Sequence, residues 1–226
     1  MTRPVEPSRH GLPSAVVFDL DGVLLDTTEN MRHAFTACCR EAGRRDAPSF
    51  AEFLTHMGAP LPQILTAVGL PAALAATYER ESTNQIGLVR PYDGITALLR
   101  DLLAGGVPTS VATGKATWRA VQMLERTGLR PLLGPVVGSD RVARPKPAPE
   151  IVLTALRESG AEPAGAMFLG DSPLDMRAGH GAGVTVVAAG WGQGAPAALL
   201  AEGPHRLIDH PRELLEPLAA GGPVRG

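Results

Sequence analysis

Four apolar residues, Ala15-Val16-Val17-Phe18, run directly into the polar sequence Asp19-Leu20-Asp21-Gly22. A short unbroken apolar run that stops abruptly at a loop is the pattern of a parallel strand buried on both faces. Similar runs lie at Thr109-Ser110-Val111-Ala112-Thr113, Pro135-Val136-Val137-Gly138, Ala166-Met167-Phe168-Leu169-Gly170 and Thr185-Val186-Val187-Ala188-Ala189. Helical patterns fill the intervals at 95–103, 116–127, 149–158 and 173–181. Strands alternating with helices imply a parallel sheet with helices on both faces and right-handed crossovers. The expected class is therefore α/β, a Rossmann-like core.

The interval 28–90 breaks this rhythm, with helix signals and no convincing strand. Ser49-Phe50-Ala51-Glu52 has the form of a capping box, and Gly58, Pro60, Gly69 and Pro71 punctuate the later segments. The stretch reads as a small all-α insert, with hinges just after Asp26-Thr27 and at Pro91-Tyr92-Asp93-Gly94. The core then comprises 1–27 and 91–226.

Hydrophobic residues at 44% and charged residues at 19% permit a buried core. A net charge of -2 leaves no electrostatic footprint for nucleic acid. Residues 1–13 are polar and proline-bearing, without the apolar stretch of a secretory signal, and 221–226 read as a frayed end. No apolar run approaches the length of a bilayer span. A cytoplasmic monomer or homodimer without membrane contact is expected. Cys38 and Cys39 are adjacent and would point in different directions on a helix, a poor start for a disulfide framework.

In open parallel sheets, ligands bind beyond the carboxyl ends of the strands. Those ends carry Asp19, Asp21, Thr113 and Asp171, and Lys146 lies in the loop between the third and fourth runs. Crowded carboxylates repel by roughly 4 kcal/mol per pair ~4 Å apart at an effective dielectric of about 20. A hard divalent cation bound through oxygen offsets that cost, and Mg²⁺ with phosphate oxygens fits such a donor set. Lys146 supplies a second positive charge, as phosphoryl transfer requires. An aspartate can be the nucleophile, giving an aspartyl phosphate. Asp21 can protonate the leaving oxygen and then activate water. Thr113-Gly114-Lys115 would end a strand and open a helix, its hydroxyl and amides holding phosphate oxygens.

Each piece also has a plain structural explanation. Asp and Gly form turns, Thr113 can cap the following helix, and Ser172-Pro173 suits a helix start. Asp175 can simply favour the helix dipole or support a metal ligand from behind. A lysine such as Lys146 is most often solvated. Their joint placement at the strand ends is what favours the catalytic explanation.

Together these segments resemble the haloacid dehalogenase superfamily. Phe18-Asp19-Leu20-Asp21-Gly22-Val23-Leu24-Leu25-Asp26-Thr27 is similar to its first motif and Val111-Ala112-Thr113-Gly114-Lys115 to its second. Arg144-Pro145-Lys146-Pro147-Ala148-Pro149-Glu150 is similar to the third and Gly170-Asp171-Ser172-Pro173-Leu174-Asp175 to the fourth. The resemblance implies Asp19 as nucleophile and metal ligand, and Asp21 as acid/base with its backbone carbonyl on the metal. It further implies that Thr113, Gly114 and Lys146 bind the phosphoryl group, and that Asp171 ligates Mg²⁺ with Ser172 and Asp175 in support. The insert resembles the helical cap of the phosphoglycolate phosphatase-like branch, which closes over substrate and sets specificity.

A narrower likeness, through Phe53-Leu54-Thr55-His56-Met57-Gly58, Ala112-Thr113-Gly114-Lys115, Gly138-Ser139-Asp140 and Trp191-Gly192, is to phosphatases of 3-amino-5-hydroxybenzoate synthesis in ansamycin-type pathways. The stretch Gly179-His180-Gly181 departs from the usual alanine-rich pattern, and His180 reads as a helix-end residue. The implied partner is a small phosphorylated metabolite. A sugar phosphomutase of the β-phosphoglucomutase kind shares all four motifs and stays open, as does a non-catalytic phosphometabolite binder. Dehalogenation does without a second acid, and Asp21 is present. Phosphonate hydrolysis uses a cap lysine, and 28–90 contains none. No GxGxxG follows the first strand to suggest dinucleotide binding. His33, His56, Met57 and Tyr78 are insert residues that could reach substrate or equally be core or surface.

Overall fold

The computed structural model describes residues 12–43 and 46–216; the expectations for the stretch before Leu12 and for 221–226 fall outside the described residues. In chain order the elements are β1 (Ala15–Phe18), β2 (Leu25–Asp26), α1 (Thr28–Ala42), α2 (Phe50–Leu54), α3 (Leu61–Ala67) and α4 (Ala75–Asn84). Next come β3 (Arg90–Pro91), α5 (Ile95–Ala104), β4 (Thr109–Thr113), α6 (Thr117–Arg126), β5 (Val136–Gly138) and α7 (Glu150–Glu158). The chain continues through β6 (Ala166–Gly170), α8 (Pro173–Ala182), β7 (Thr185–Ala189), α9 (Pro196–Ala201) and β8 (Arg206–Ile208).

Six strands form one parallel sheet in the order β5-β4-β1-β6-β7-β8. β1 is central and flanked by β4 and β6, so the chain builds one half of the sheet and then crosses β1 to build the other. That reversal opens a crevice at the strand ends. Alternate residues of β1 face opposite layers. Val16 and Phe18 pack with Leu98, Leu102 and Leu124 of α5 and α6. Ala15 and Val17 pack with Ile151 and Ala155 of α7 and Ala178 of α8. Both faces are thus covered by helices, which is why β1 and β6 are apolar without alternation.

The third run begins one residue later than expected. Pro135 has no N–H to give the ladder, although its carbonyl accepts the Val111 N–H at 2.9 Å. In the second half of the described residues, β8 and α9 had no counterpart among the sequence expectations. β8 is a partly exposed edge strand, Arg206-Leu207-Ile208, lacking a continuous apolar run. α9 is a six-residue helix with only Leu199 buried.

α1 to α4 form the helical insert between β2 and β3 and carry their own apolar cluster, including Phe35, Phe53, Leu65 and Tyr78. Phe53 lies between Phe35 at 4.9 Å and Tyr78 at 5.7 Å, ring centre to ring centre. Cys38 is buried there, on α1. Ser49 accepts the Glu52 N–H at 3.1 Å and so starts α2. The two connections to the sheet are not simple linkers. Leu25 and Asp26 pair antiparallel with Pro91 and Arg90, which corrects the expectation of no strand up to residue 90. Pro91 hid this ribbon, because proline within a run argues against a strand.

Candidate active site

The crevice collects side chains from the ends of β1, β4 and β6 and from the β5–α7 loop. Asp19 follows β1 directly and is buried to 4% exposure. Lys146, from the β5–α7 loop, donates to Asp19 Oδ1 at 2.7 Å and lies 2.5 Å from Asp175 Oδ1. Carboxylate oxygens of Asp19, Asp171 and Asp175 all lie within 4.8 Å of one another. Asp171 follows β6, and its Oδ2 accepts the Gln193 N–H at 2.8 Å.

Ser172 and Asp175 serve the helix as well as the cluster. Ser172 caps α8 by accepting the Asp175 N–H at 3.2 Å. Asp175 Oδ2 in turn accepts from Ser172 Oγ at 2.6 Å and from Ser172 N at 3.0 Å, which completes a capping box. Asp175 Oδ1 is left for Lys146. The plain structural role of this pair and its role in the site therefore hold together.

The Asp21 carboxylate stands apart from the three-carboxylate group. It accepts from Thr27 Oγ1 at 2.6 Å and lies 3.2 Å from Lys115 Nζ. Thr113 is buried at the end of β4, and its Oγ1 accepts the Lys115 N–H at 3.2 Å. The helix does not open at this triplet. α6 begins at Thr117, where Asp140 accepts from Thr117 N at 2.7 Å and Thr117 Oγ1 at 2.8 Å. Asp140, arriving from beyond β5, takes the capping role that Thr113 could have filled.

Two glycines permit the close approaches. Gly22 has φ +79°, and a Cβ there would overlap the Asp171 carboxylate. A Cβ on Gly114 would run into the backbone of Gly58 and Ala59, so the β4 loop touches the insert directly.

Between core and insert lies a cavity of about 210 Å³. Asp19, Asp21, Thr113 and Gly114 line its core side, and Phe53 and Tyr78 its insert side. Met57 also lines it, whereas His33 and His56 lie in separate surface clefts. His180 is in the last turn of α8, 3.1 Å from the Glu202 carbonyl oxygen, as expected of a helix-end residue.

The family model for haloacid dehalogenase-like hydrolases matches residues 16–189. The chain belongs to the haloacid dehalogenase-like hydrolase family. It is 33% identical over 215 residues to the N-acetylmuramic acid 6-phosphate phosphatase of Pseudomonas aeruginosa, covering 90% of this chain and 94% of that one. It is 31% identical over 196 residues to a phosphoglycolate phosphatase of Thiobacillus denitrificans, covering 80% and 86%. A haloacid dehalogenase-like hydrolase of Streptococcus pneumoniae superposes with a TM-score of 0.78 at 26% identity, covering 89% of this chain and 96% of that one.

In this hydrolase the electrostatics of the cluster favour a bound cation. Burial, opposed by Lys146 and reinforced by Asp175 and Asp21, pushes the Asp19 carboxyl up to about 7. Burial and the neighbouring Asp19 and Asp175 push Asp171 well above the usual carboxylate range. Burial alone would lower the Lys146 ammonium, but Asp175 and Asp19 overcome it and push it up. One ammonium faces three crowded carboxyl groups, so two of them retain protons until a cation takes the protons' place among hard oxygen donors. A divalent cation fits that set.

Three features of the site were not anticipated from the sequence. The Gln193 N–H that holds Asp171 is a backbone group with no sequence signature. Lys115 has a side chain only 8% exposed and pairs with Asp21. Arg119 is 3% exposed and lines the cavity. The last two cations are four residues apart around the start of α6, a spacing that could have flagged them together.

Proposed function

We propose that this hydrolase is a Mg²⁺-dependent phosphatase that hydrolyses a small-molecule phosphate monoester through an aspartyl phosphate on Asp19. One observation carries the reading: Asp19 lines the cavity between core and insert, its carboxylate held by Lys146 at 2.7 Å inside a carboxylate cluster suited to a cation. The relatives named as phosphatases of phosphoglycolate and of N-acetylmuramic acid 6-phosphate support the reaction class.

In this mechanism an Asp19 carboxylate oxygen attacks phosphorus and the ester P–O bond breaks. Lys146 orients Asp19 and neutralises the phosphoryl oxygens. The Thr113 hydroxyl and the amides about Gly114 hold the same group. Asp21 gives its proton to the leaving oxygen, then takes one from the water that attacks the aspartyl phosphate. The Thr27 hydroxyl bond fixes the Asp21 carboxylate for this. Asp19, Asp171 and the Asp21 carbonyl would hold Mg²⁺, with Ser172 and Asp175 in support, and the ion would supply charge neutralisation when bound. Residues 28–90 act as a cap on a core of 1–27 and 91–226. Its apolar wall excludes water from the closed site. The narrower likeness to ansamycin-type phosphatases puts an amino-sugar phosphate or related secondary metabolite among the candidate substrates.

Phosphate release from phosphoglycolate, hexose phosphates, amino-sugar phosphates and an aryl phosphate, with and without Mg²⁺, tests the proposal. Metal-dependent release supports it. Isomerisation of a sugar phosphate primed by a bisphosphate, without net release, would replace it with a phosphomutase.

A further inference from the structure

Arg119 is a charge without a counter-charge. Its guanidinium is buried and lines the cavity, yet no carboxylate among the described residues lies within ion-pair distance. Buried charges are ordinarily paired. The two acidic side chains that share the cavity beyond Asp19 do not serve. Asp21 is engaged by Lys115 and Thr27, and Glu79 lies too far away to pair.

The hydrogen-bonded partner that Arg119 does have is neutral. Arg119 Nη2 donates to Ser82 Oγ at 2.6 Å, and Ser82 Oγ donates onward to Asn30 Oδ1 at 2.6 Å. Asn30 Nδ2 also donates to the Ser82 carbonyl at 2.7 Å, so the hydroxyl is held with its lone pair toward the guanidinium. The Tyr78 ring, centred 5.5 Å from the guanidinium carbon, supports it from the side. A planar fork held at one nitrogen keeps further N–H donors for an anion, and guanidinium geometry matches carboxylate and phosphate oxygens. Lys115 also lines the cavity, but its ammonium is matched by Asp21 at 3.2 Å, which leaves the Arg119 charge as the unmatched one at this end.

Building on the phosphatase reading, we propose that Arg119 is a specificity-determining residue that receives a second anionic group of the substrate. With the scissile phosphoryl over Asp19, the substrate extends toward the start of α6, and its far end carries a carboxylate or a second phosphate. Ser82 and Asn30 position the guanidinium from the insert, so the anion-binding group is set only when the insert packs on the core. A neutral or cationic substituent at that end would leave Arg119 buried and uncompensated, which selects against such substrates.

Non-hydrolysable probes test this without requiring turnover. Calorimetric affinities of the Mg²⁺-loaded protein are compared for phosphonoacetate, ethylene bisphosphonate and ethylphosphonate, which share a phosphonate and differ at the far end. The wild type should bind at least one probe with a second anionic group about tenfold or more tightly than ethylphosphonate, as a charge-assisted hydrogen bond implies. The tighter of the two identifies carboxylate or phosphate as the natural group. Arg119→Met should erase the preference while changing ethylphosphonate affinity less than about threefold, and Arg119→Lys should restore part of it. Ser82→Ala, which removes the positioning bond and keeps the charge, should weaken the preference without erasing it. Equal weakening of all three probes in Arg119→Met would overturn the proposal in favour of a purely structural contact. A wild type that binds all three probes alike would overturn it too. The preference with no phosphate release from any ester would sink the phosphatase reading and leave the anion site standing.

Discussion

The sheet core and the helical insert face the same cavity with opposite chemistry. The core offers Asp19, Asp21, Thr113, Lys115 and Arg119, while the insert offers mainly Met31, Phe53, Ile64 and Tyr78. The difference follows from how each is held together. Core side chains at the strand ends are fixed by charge and by close backbone approach, as at Gly22 beside Asp171. The insert is held by its own apolar cluster and meets α6 through one polar chain, Asn30–Ser82–Arg119. The reactive side chains thus come from the sheet core, and the apolar wall over them from a segment with its own apolar cluster.

The sharpest way to break that division is to remove the nucleophile alone. Asp19→Asn should lower turnover at least about 10³-fold while preserving fold and melting temperature, because amide replaces carboxylate at constant shape. Steady-state rates and calorimetry on the same preparation check it, and retained turnover would place the chemistry elsewhere.

A matched pair of cavities comes next. Phe168→Ala in β6 and Phe53→Ala in the insert should each cost about 3–5 kcal/mol. Hydrogen exchange should separate them, with Phe168→Ala lowering protection throughout and Phe53→Ala lowering it mainly in α1 to α4. Equal global loss would mean that the insert and the core fold as one unit.

The polar chain between the units should matter less. Asn30→Ala should cost about 1–3 kcal/mol through the Ser82 groups left without partners. Its expected signature is a raised KM with a smaller change in kcat.

The smallest effect is one of pH. Burial raises Asp19 and Asp171 in the folded, metal-free protein, so the folded state holds protons that the unfolded chain releases. Stability from Asp19 is full below about pH 4 and is lost as pH rises through about 7, and the raised Asp171 carboxyl acts in the same direction. Mg²⁺ competes with those protons, so it should raise Tm more at about pH 8 than at about pH 5. Thermal melts at both values decide this, and an equal shift would argue against Asp19 and Asp171 as the ion's ligands.

The parts of the fold legible in the sequence were those where one local pattern suffices. β1, β4, β6 and β7 are buried almost throughout because both sheet faces are covered, so each reads as a short run of small, β-branched and apolar residues without polar alternation, and their bounds could be read directly even with Thr109, Ser110 and Thr113 in β4. β8 and the β2·β3 ribbon were not legible, since edge exposure and Pro91 remove the pattern. The strand-end aspartates could be anticipated because a parallel sheet brings such ends together. Asp175 could be expected only as support behind Asp171; its contact with Lys146 could not, because it depends on the α8 capping box leaving its second oxygen for the ammonium. Arg119 escaped notice for a different reason. Only the packing of the insert buries it, and nothing in the helical pattern of α6 distinguishes a buried arginine from a solvated one.

The central claim is that Asp19 carries the phosphoryl group. Asp21→Asn should slow release of that group more than its transfer, so the modified enzyme should accumulate with a turned-over ester and Mg²⁺. Rapid acid quench followed by peptide mass spectrometry would then find a hydroxylamine-labile phosphoryl group on the peptide bearing Asp19. Metal-dependent turnover with no modification of that peptide, or with modification at another residue, would contradict it.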